Sequence, residues 1–187
     1  AEKPILLVGL GTFWDNASLS MVTLAEHLGA PVLTTSKCKG AIPEDHPLQA
    51  GCIIGGLIER NLVSTSDLII TIGLDAVELQ PKGWPYSTKV LSLASHPSLD
   101  GLVASNEEVI GNLDSLLQVL RMTIPRGNDW GYDAARDFRA SVYKALDTPS
   151  TGLSPQHTVE IARTILPRDT IATCDAGASR LLVVQKW

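Results

Sequence analysis

The sequence has little of what several functional classes require. Its three cysteines, Cys38, Cys52 and Cys174, are odd in number and lack CxxC spacing, so they predict neither a disulfide framework nor a zinc site. Unpaired cysteines are typical of a reducing compartment, and we expect a cytoplasmic protein. The formal net charge is −5 with no basic run, which argues against nucleic acid or an anionic membrane as a partner. No apolar run approaches the roughly 20 residues that span a bilayer.

Catalytic signatures are also missing. The chain has no GxSxG, P-loop or HExxH pattern. Its four histidines, His27, His46, His96 and His157, are scattered and none lies in a metal-ligand spacing. We therefore assign no catalytic residue and no metal ligand from the sequence.

What the chain does have is an alternation of strand-like and helix-like segments. The continuous apolar run at 5–10 is typical of a strand buried on both faces, and 67–73 is the clearest strand after it. Further strands are predicted at 31–35, Gln49–Ile53, 89–94 and 102–105. The alternation predicts an α/β fold, a Rossmann-like three-layer domain with a mainly parallel sheet of about six strands.

Helices are predicted between these strands. Apolar residues from Ala17 to Leu28 have helical spacing, with Asp15 or Asn16 as the N-cap and Gly29 just past the end. Helices are also predicted from residue 57 to 63 and from 132 to 146, and a strand at 170–173 before a last helix. One more helix is predicted to start near Asn106 or Glu107, with an apolar face formed by Val109, Leu113, Leu116, Leu117 and Leu120.

Two loops could approach an anion. Gly9 and Gly11 follow the first strand, where glycines permit either close contact with a phosphate or a tight strand-to-helix turn. Trp14 stands where a dinucleotide fingerprint has its third glycine, which makes the pattern weak. The loop after the second strand offers Thr35, Ser36 and Lys37 as an anion site, or is simply solvated.

Two acidic residues, Asp75 and Glu78, follow the strand that ends at Gly73. Paired carboxylates can perform acid–base or metal chemistry. Neither a histidine nor a third acidic residue lies close to them in sequence, so we expect an acidic surface loop.

Several segments together resemble the thiamine-diphosphate enzymes of the acetolactate-synthase and 2-keto-acid decarboxylase type. The most specific is LGAPVLTTSKCKGAIPEDHPLQAG at 28–51, and KPILLVGLGTF, SDLIITIG and TIATCDAGASRLLVVQKW agree with the family at 3–13, 66–73 and 170–187. The resemblance covers nearly the whole chain. It implies that this chain contains the second of three α/β domains. In chain order, these are a pyrimidine-binding domain, a middle domain and a diphosphate-binding domain.

The resemblance implies a domain organisation. Residues 1–125 correspond to the central domain, 126–154 to a connecting helix and linker, and 155–187 to the start of the diphosphate-binding domain. The stretch 125–129 combines proline, glycine and charge, as boundaries often do. We therefore expect an excised part of a larger enzyme, whose partners are its own remaining domains and, in full length, a second copy of the enzyme.

The implied parent enzyme is a transferase or lyase that decarboxylates a 2-keto acid and passes the acyl group to an acceptor. It would use thiamine diphosphate and Mg²⁺, with the activating glutamate and the metal motif in other domains. Asp175, Gly177 and Ser179 correspond to residues that approach the diphosphate, although Ala178-Ser179 stands where many synthases have Gln-His. We expect the chain alone to be inactive and to bind no cofactor.

The central domain binds FAD or ADP in some relatives and no nucleotide in others. The matching nucleotide-site residues here would be Gly9, Gly11, Thr35, Ser36, Lys37 and Gly73. FAD-binding relatives carry arginine after the last of these glycines, whereas this chain has Leu74 and Asp75, and 92–96 lack a ribose-binding acid. A carboxylate there repels a diphosphate. We predict no tight FAD and a structural domain; the alternative is a free-standing module that binds ADP, FAD or CoA.

Overall fold

The computed structural model describes residues 1–55, 58–79, 84–97, 103–147, 149 and 151–187. These residues divide into two compact units, Ala1–Phe138 and Arg139–Trp187. The domain boundaries inferred at 125 and 154 remain predictions. Within the described ranges, no helix is both long enough and apolar enough to cross a membrane.

The first unit is built on one parallel sheet. Its strands are β1 (Pro4–Val8), β2 (Val32–Thr35), β3 (Gln49–Ile53), β4 (Leu68–Ile72), β5 (Val90–Ala94) and β6 (Glu107–Ile110). They lie in the order β3-β2-β1-β4-β5-β6, and every described pairing is parallel. The predicted α/β fold, Rossmann-like with three layers and about six strands, is confirmed.

Helices follow the strands along the chain. They are α1 (Gly11–Trp14), α2 (Ser18–Leu28), α3 (Ile58–Val63), α4 (Leu113–Thr123), α5 (Trp130–Leu146), α6 (Pro155–Ile165) and α7 (Ala178–Lys186). In the second unit α6 packs against α7. There the Lys186 ammonium pairs with Glu160 and lies 4.9 Å from the centre of the Tyr143 ring. The start of the helix predicted at 57 lies outside the described residues.

The core of the first unit is centred on β1. All five residues of this strand are buried, as expected for a strand covered on both faces. On one face α2 packs against α4, and apolar side chains from both helices join those of β1 in a single cluster that includes Leu6, Val8, Met21, Leu24, Leu113 and Leu117. This packing brings the start of α4 close to the end of β1.

The predicted start of α2 is wrong, whereas its predicted end is confirmed. The N-cap is Ala17, without a side-chain hydrogen bond, and neither Asp15 nor Asn16 caps the helix. The Asp15 carboxylate instead accepts hydrogen bonds from the Ser95 hydroxyl and from the Leu113 N–H at the start of α4. Gly29 ends the helix in the left-handed region with φ +58°, where glycine has no Cβ to clash.

The predicted last strand and the helix after it are displaced. Leu102 lies outside the described residues and 103–105 are irregular, while β6 runs from Glu107 to Ile110. α4 begins only at Leu113, because the Asn112 side chain accepts a 3.0 Å hydrogen bond from the Ser115 N–H. Val109 therefore lies on β6 and not on a helix. All four β6 residues are exposed, so the strand lacks a buried-strand pattern.

The strand predicted at 170–173 is also wrong. These residues are irregular and mostly exposed, and the Thr170 N–H donates to the carbonyl of Pro167 in a turn. A strand requires a neighbouring strand to satisfy its backbone groups, and none of the described strands pairs with this segment.

Candidate functional site

The strand order places a switch point between β1 and β4. β2 and β3 follow on one side of β1, and β4, β5 and β6 on the other. In open parallel sheets, ligands bind beyond the carboxyl ends of the strands at such a point. A cleft of about 380 Å³ opens there, lined by Leu10, Gly73, Asp75, Ser95 and Glu108 among others. The loops that follow β1 and β4 meet here, at the β1–β4 junction.

The glycines at the junction contact each other. The Gly9 N–H donates to the carbonyl of Ile72 and the Gly11 N–H to that of Gly73, both at 2.9 Å. A Cβ on Gly9 would lie 2.5 Å from the Gly73 carbonyl oxygen. Gly73 has φ +56°, and a Cβ there would lie 2.7 Å from the Thr12 nitrogen. The glycines thus allow the loops after β1 and β4 to pack backbone against backbone.

Glu78 points into this junction. Its carboxylate accepts the Leu10 N–H at 2.9 Å and 3.1 Å, the Asp75 N–H at 3.0 Å and the Thr35 hydroxyl at 2.5 Å. The predicted acidic surface loop is therefore wrong for Glu78, which is half-buried, although Asp75 is exposed. The hydrogen bonds outweigh the tendency of a carboxylate to stay in water, because they replace its hydration with three donor groups.

The loop after β2 contributes one of its three predicted residues to the junction. Thr35 is buried, and its oxygen both donates to Glu78 and accepts the Cys38 N–H at 3.2 Å. Lys37 is exposed and Ser36 half-buried. The structure thus brings Thr35 together with Gly9, Gly11 and Gly73, while the Lys37 side chain stays at the surface.

A second carboxylate, Asp15, lines the cleft and was not predicted to do so. Its Oδ2 accepts the Leu113 N–H at 2.8 Å and the Ser95 hydroxyl at 2.6 Å. The backbone hydrogen bond from Leu113, then the side-chain hydrogen bond from Ser95, and the nearby His96 lower the pKa of Asp15 against the opposing effect of burial. With Asp75 and Glu108 on the same walls, the cleft is acidic.

The predicted diphosphate-side residues lie in the second unit. Asp175, Gly177 and Ser179 are all exposed, and Gly177 is the N-cap of α7. Among the residues that the structure describes, no three histidine, cysteine or acidic side chains gather closely enough to hold a metal ion. The assignment of these three residues to the diphosphate side stays a prediction.

The chain matches a protein family in sequence, and its fold matches solved structures. Residues 1–120 match the family model of the thiamine pyrophosphate enzyme, central domain. The chain is 25% identical over 199 residues to an acetolactate synthase large subunit of Corynebacterium glutamicum, covering 99% of this chain and 32% of that protein. It is 33% identical over 115 residues to a sulfoacetaldehyde acetyltransferase of Alcaligenes xylosoxydans, covering 55% of this chain and 18% of that protein.

The fold also matches a solved structure. Benzoylformate decarboxylase from Polynucleobacter necessarius superposes with a TM-score of 0.76 at 18% identity, covering 99% of this chain and 35% of that one. The chain spans about a third of the length of such relatives. The family model covers well over half of the chain, and the chain therefore belongs to the thiamine pyrophosphate enzymes, with residues 1–120 matching their central domain.

Proposed function

We propose that this chain is the structural central domain of an acetolactate-synthase-like enzyme, a transferase or lyase that cleaves or forms the carbon–carbon bond beside the carbonyl of a 2-keto acid. The observation that carries the proposal is the family match over 1–120 on a sheet ordered β3-β2-β1-β4-β5-β6. An acetolactate synthase large subunit that aligns with 99% of the chain supports the choice of reaction.

The central domain acts as a scaffold in this proposal. Its switch-point donors are used by the protein's own Glu78, so they are not available to a ligand. Thiamine diphosphate, once bound with Mg²⁺ in the full-length enzyme, supplies the carbanion stabilisation that decarboxylation requires. Asp175, Gly177 and Ser179 would lie beside the diphosphate, and the metal motif would lie in another domain of the enzyme.

The partners of the chain are, in the same proposal, the remaining domains of the enzyme and a second copy of it. The coverage of about a third of each relative supports a multidomain enzyme. A cytoplasmic location is part of the proposal. It is supported by the three free thiols, of which Cys38 and Cys52 are buried and Cys174 is exposed.

The test is an assay of CO₂ release from pyruvate, 2-ketobutyrate and benzoylformate, with thiamine diphosphate and Mg²⁺. The full-length enzyme and the 187-residue chain are assayed side by side. We expect turnover by the full-length enzyme that disappears without thiamine diphosphate, and none by the chain. Turnover by the chain alone, or no turnover of any 2-keto acid by the full-length enzyme, would contradict the proposal.

The second candidate is a free-standing module that binds ADP, FAD or CoA. The observation in its favour is the cleft at the switch point, where this topology accepts nucleotides. Its acidic walls and the position of Glu78 count against a ligand that carries a diphosphate. Calorimetric titration of the chain with each of the three compounds distinguishes the two candidates, because the structural domain binds none of them.

A further inference from the structure

We infer that the β1–β4 junction is an anion site filled by the protein's own Glu78, which excludes the diphosphate of a nucleotide from the position where this fold would hold it. The inference goes beyond the proposed function, since it concerns binding within the first unit and requires no turnover. It rests on the donors around Glu78, on the lack of space beside it and on the way its loop is held.

The donors around Glu78 are those that hold phosphate oxygens in other proteins. Two are backbone N–H groups, from Leu10 after β1 and Asp75 after β4, and the third is the buried Thr35 hydroxyl after β2. They come from the carboxyl ends of three adjacent strands and converge on one carboxylate. Backbone N–H groups that converge in this way form an anion-binding concavity, and their hydrogen bonds to a charged acceptor are strong.

No space remains for a second anion at this point. The Glu78 Oε2 atom lies so close to Gly9 that a Cβ there would be 2.5 Å from it. A phosphate oxygen that used the Leu10 N–H would therefore overlap the Glu78 carboxylate. The phosphate would also be repelled by the negative charges of Glu78 and of the exposed Asp75 nearby.

The loop that carries Glu78 is held in place by its own hydrogen bonds. Residues Ala76–Glu78 form a short 3₁₀ helix, in which the Glu78 N–H donates to the carbonyl of Asp75 at 3.0 Å. The Asp75 side chain accepts the Val77 N–H, also at 3.0 Å. The carboxylate is thus delivered to the junction by an ordered turn directly after β4, and a nucleotide would have to displace it.

The inference predicts that removing the carboxylate uncovers the site. We would titrate the full 187-residue chain with inorganic pyrophosphate and with ADP by calorimetry, as wild type and as Glu78→Ala. We expect no binding to the wild type and a dissociation constant at least about tenfold lower for Glu78→Ala, because the charge is gone and the donors are vacant. Pyrophosphate separates recognition of the anion from recognition of the nucleoside.

Two further variants keep the test decisive. Asp75→Asn removes a charge from the same loop but keeps an acceptor for the Val77 N–H, so we expect it to bind far more weakly than Glu78→Ala. Glu78→Ser also removes the charge and vacates most of the space that the longer side chain fills. If Glu78→Ala fails to fold, the Leu10 and Asp75 amide signals of Glu78→Ser are followed by NMR during the titration. We expect those signals to move with pyrophosphate in Glu78→Ser and not in the wild type.

The inference is overturned by any of three results. The first is wild-type binding of ADP or pyrophosphate with Glu78 in place. The second is an equal gain in Asp75→Asn, which would indicate general charge repulsion. The third is a folded variant at Glu78 that binds neither probe more tightly than the wild type does. Because none of these measurements involves turnover, they are independent of whether the full-length enzyme decarboxylates a 2-keto acid.

Discussion

The Asp15 carboxylate accepts a 2.8 Å hydrogen bond from the N–H of Leu113, 98 residues further along the chain. Leu113 is the first residue of α4, whose N–H has no partner within the helix. The same carboxylate oxygen accepts the Ser95 hydroxyl just after β5. One side chain after α1 therefore fastens the start of α4 to the end of β5, with its charge at the positive end of the helix dipole.

Replacing Asp15 should destabilise the first unit. We expect Asp15→Ala to lower the free energy of unfolding by about 1–3 kcal/mol, because it leaves the Leu113 N–H without its acceptor. Asp137→Ala is a matched control: that carboxylate pairs only on the surface with Arg136, and its loss should cost at most about 1 kcal/mol. Urea unfolding followed by circular dichroism measures both. An equal effect of the two substitutions would contradict the role assigned to Asp15.

The same contact should depend on pH. The pKa of Asp15 is lowered in the folded protein, chiefly by the hydrogen bond from Leu113. Its contribution is therefore complete above the unfolded pKa of about 3.9 and is lost as the pH falls through the folded pKa. We expect the stability gap between the wild type and Asp15→Asn to stay constant above about pH 5 and to shrink as the pH falls below it. A gap that widens on acidification would contradict this sign.

Gly73 should tolerate no side chain. Its φ of +56° is unfavourable for other residues, and a Cβ would lie 2.7 Å from the Thr12 nitrogen and 2.8 Å from the Gly11 carbonyl carbon. We expect Gly73→Ala to cost about 2–5 kcal/mol, from backbone strain together with overpacking. Gly152 has open space around the position of a Cβ, so Gly152→Ala should be neutral or slightly stabilising. Thermal unfolding of the two variants compares them directly.

The three cysteines should differ in reactivity. Burial, then the negative charges of Glu78 and Cys52, raises the pKa of Cys38 to about 12, and burial raises that of Cys52. Cys174 is exposed. We expect a thiol reagent such as DTNB to label one thiol rapidly in the native protein and all three in denaturant, because the thiolate is the reacting form. Native Cys174→Ser should show no rapid labelling; a rapid signal in it would contradict the burial of the other two.

The sequence was sufficient to predict the strands that are buried. β1 is a continuous apolar run and β4 is one interrupted by Thr71, a pattern typical of strands covered on both faces. β6 escaped prediction because it lies at the edge of the sheet with all four residues exposed. Its Val109 happens to share a helical spacing with Leu113 and Leu117, so the apolar pattern extended the following helix backward across Gly111.

The candidate site was predictable in its position but not in its contacts. Gly9, Gly11, Gly73 and Thr35 come together because the carboxyl ends of adjacent parallel strands meet at one edge of the sheet. The Glu78 side chain points inward because it accepts a hydrogen bond from the Leu10 N–H, 68 residues away in sequence. The local sequence pattern carries no information about such a distant contact. The role of Asp15 was not predicted for the same reason. As a polar residue before a helix it resembles an N-cap, whereas the hydrogen bond that it accepts comes from the distant Leu113.

The exposed β6 also affects how the molecule behaves at high concentration. An edge strand offers free backbone groups with which another copy can pair, and this is a common route to aggregation. Successive residues of a strand point to opposite faces, so Glu107 and Glu108 place one negative charge on each side of β6. A second copy aligned along this edge would bring like charges together, and the two glutamates thereby protect the sheet from growing beyond its own strands.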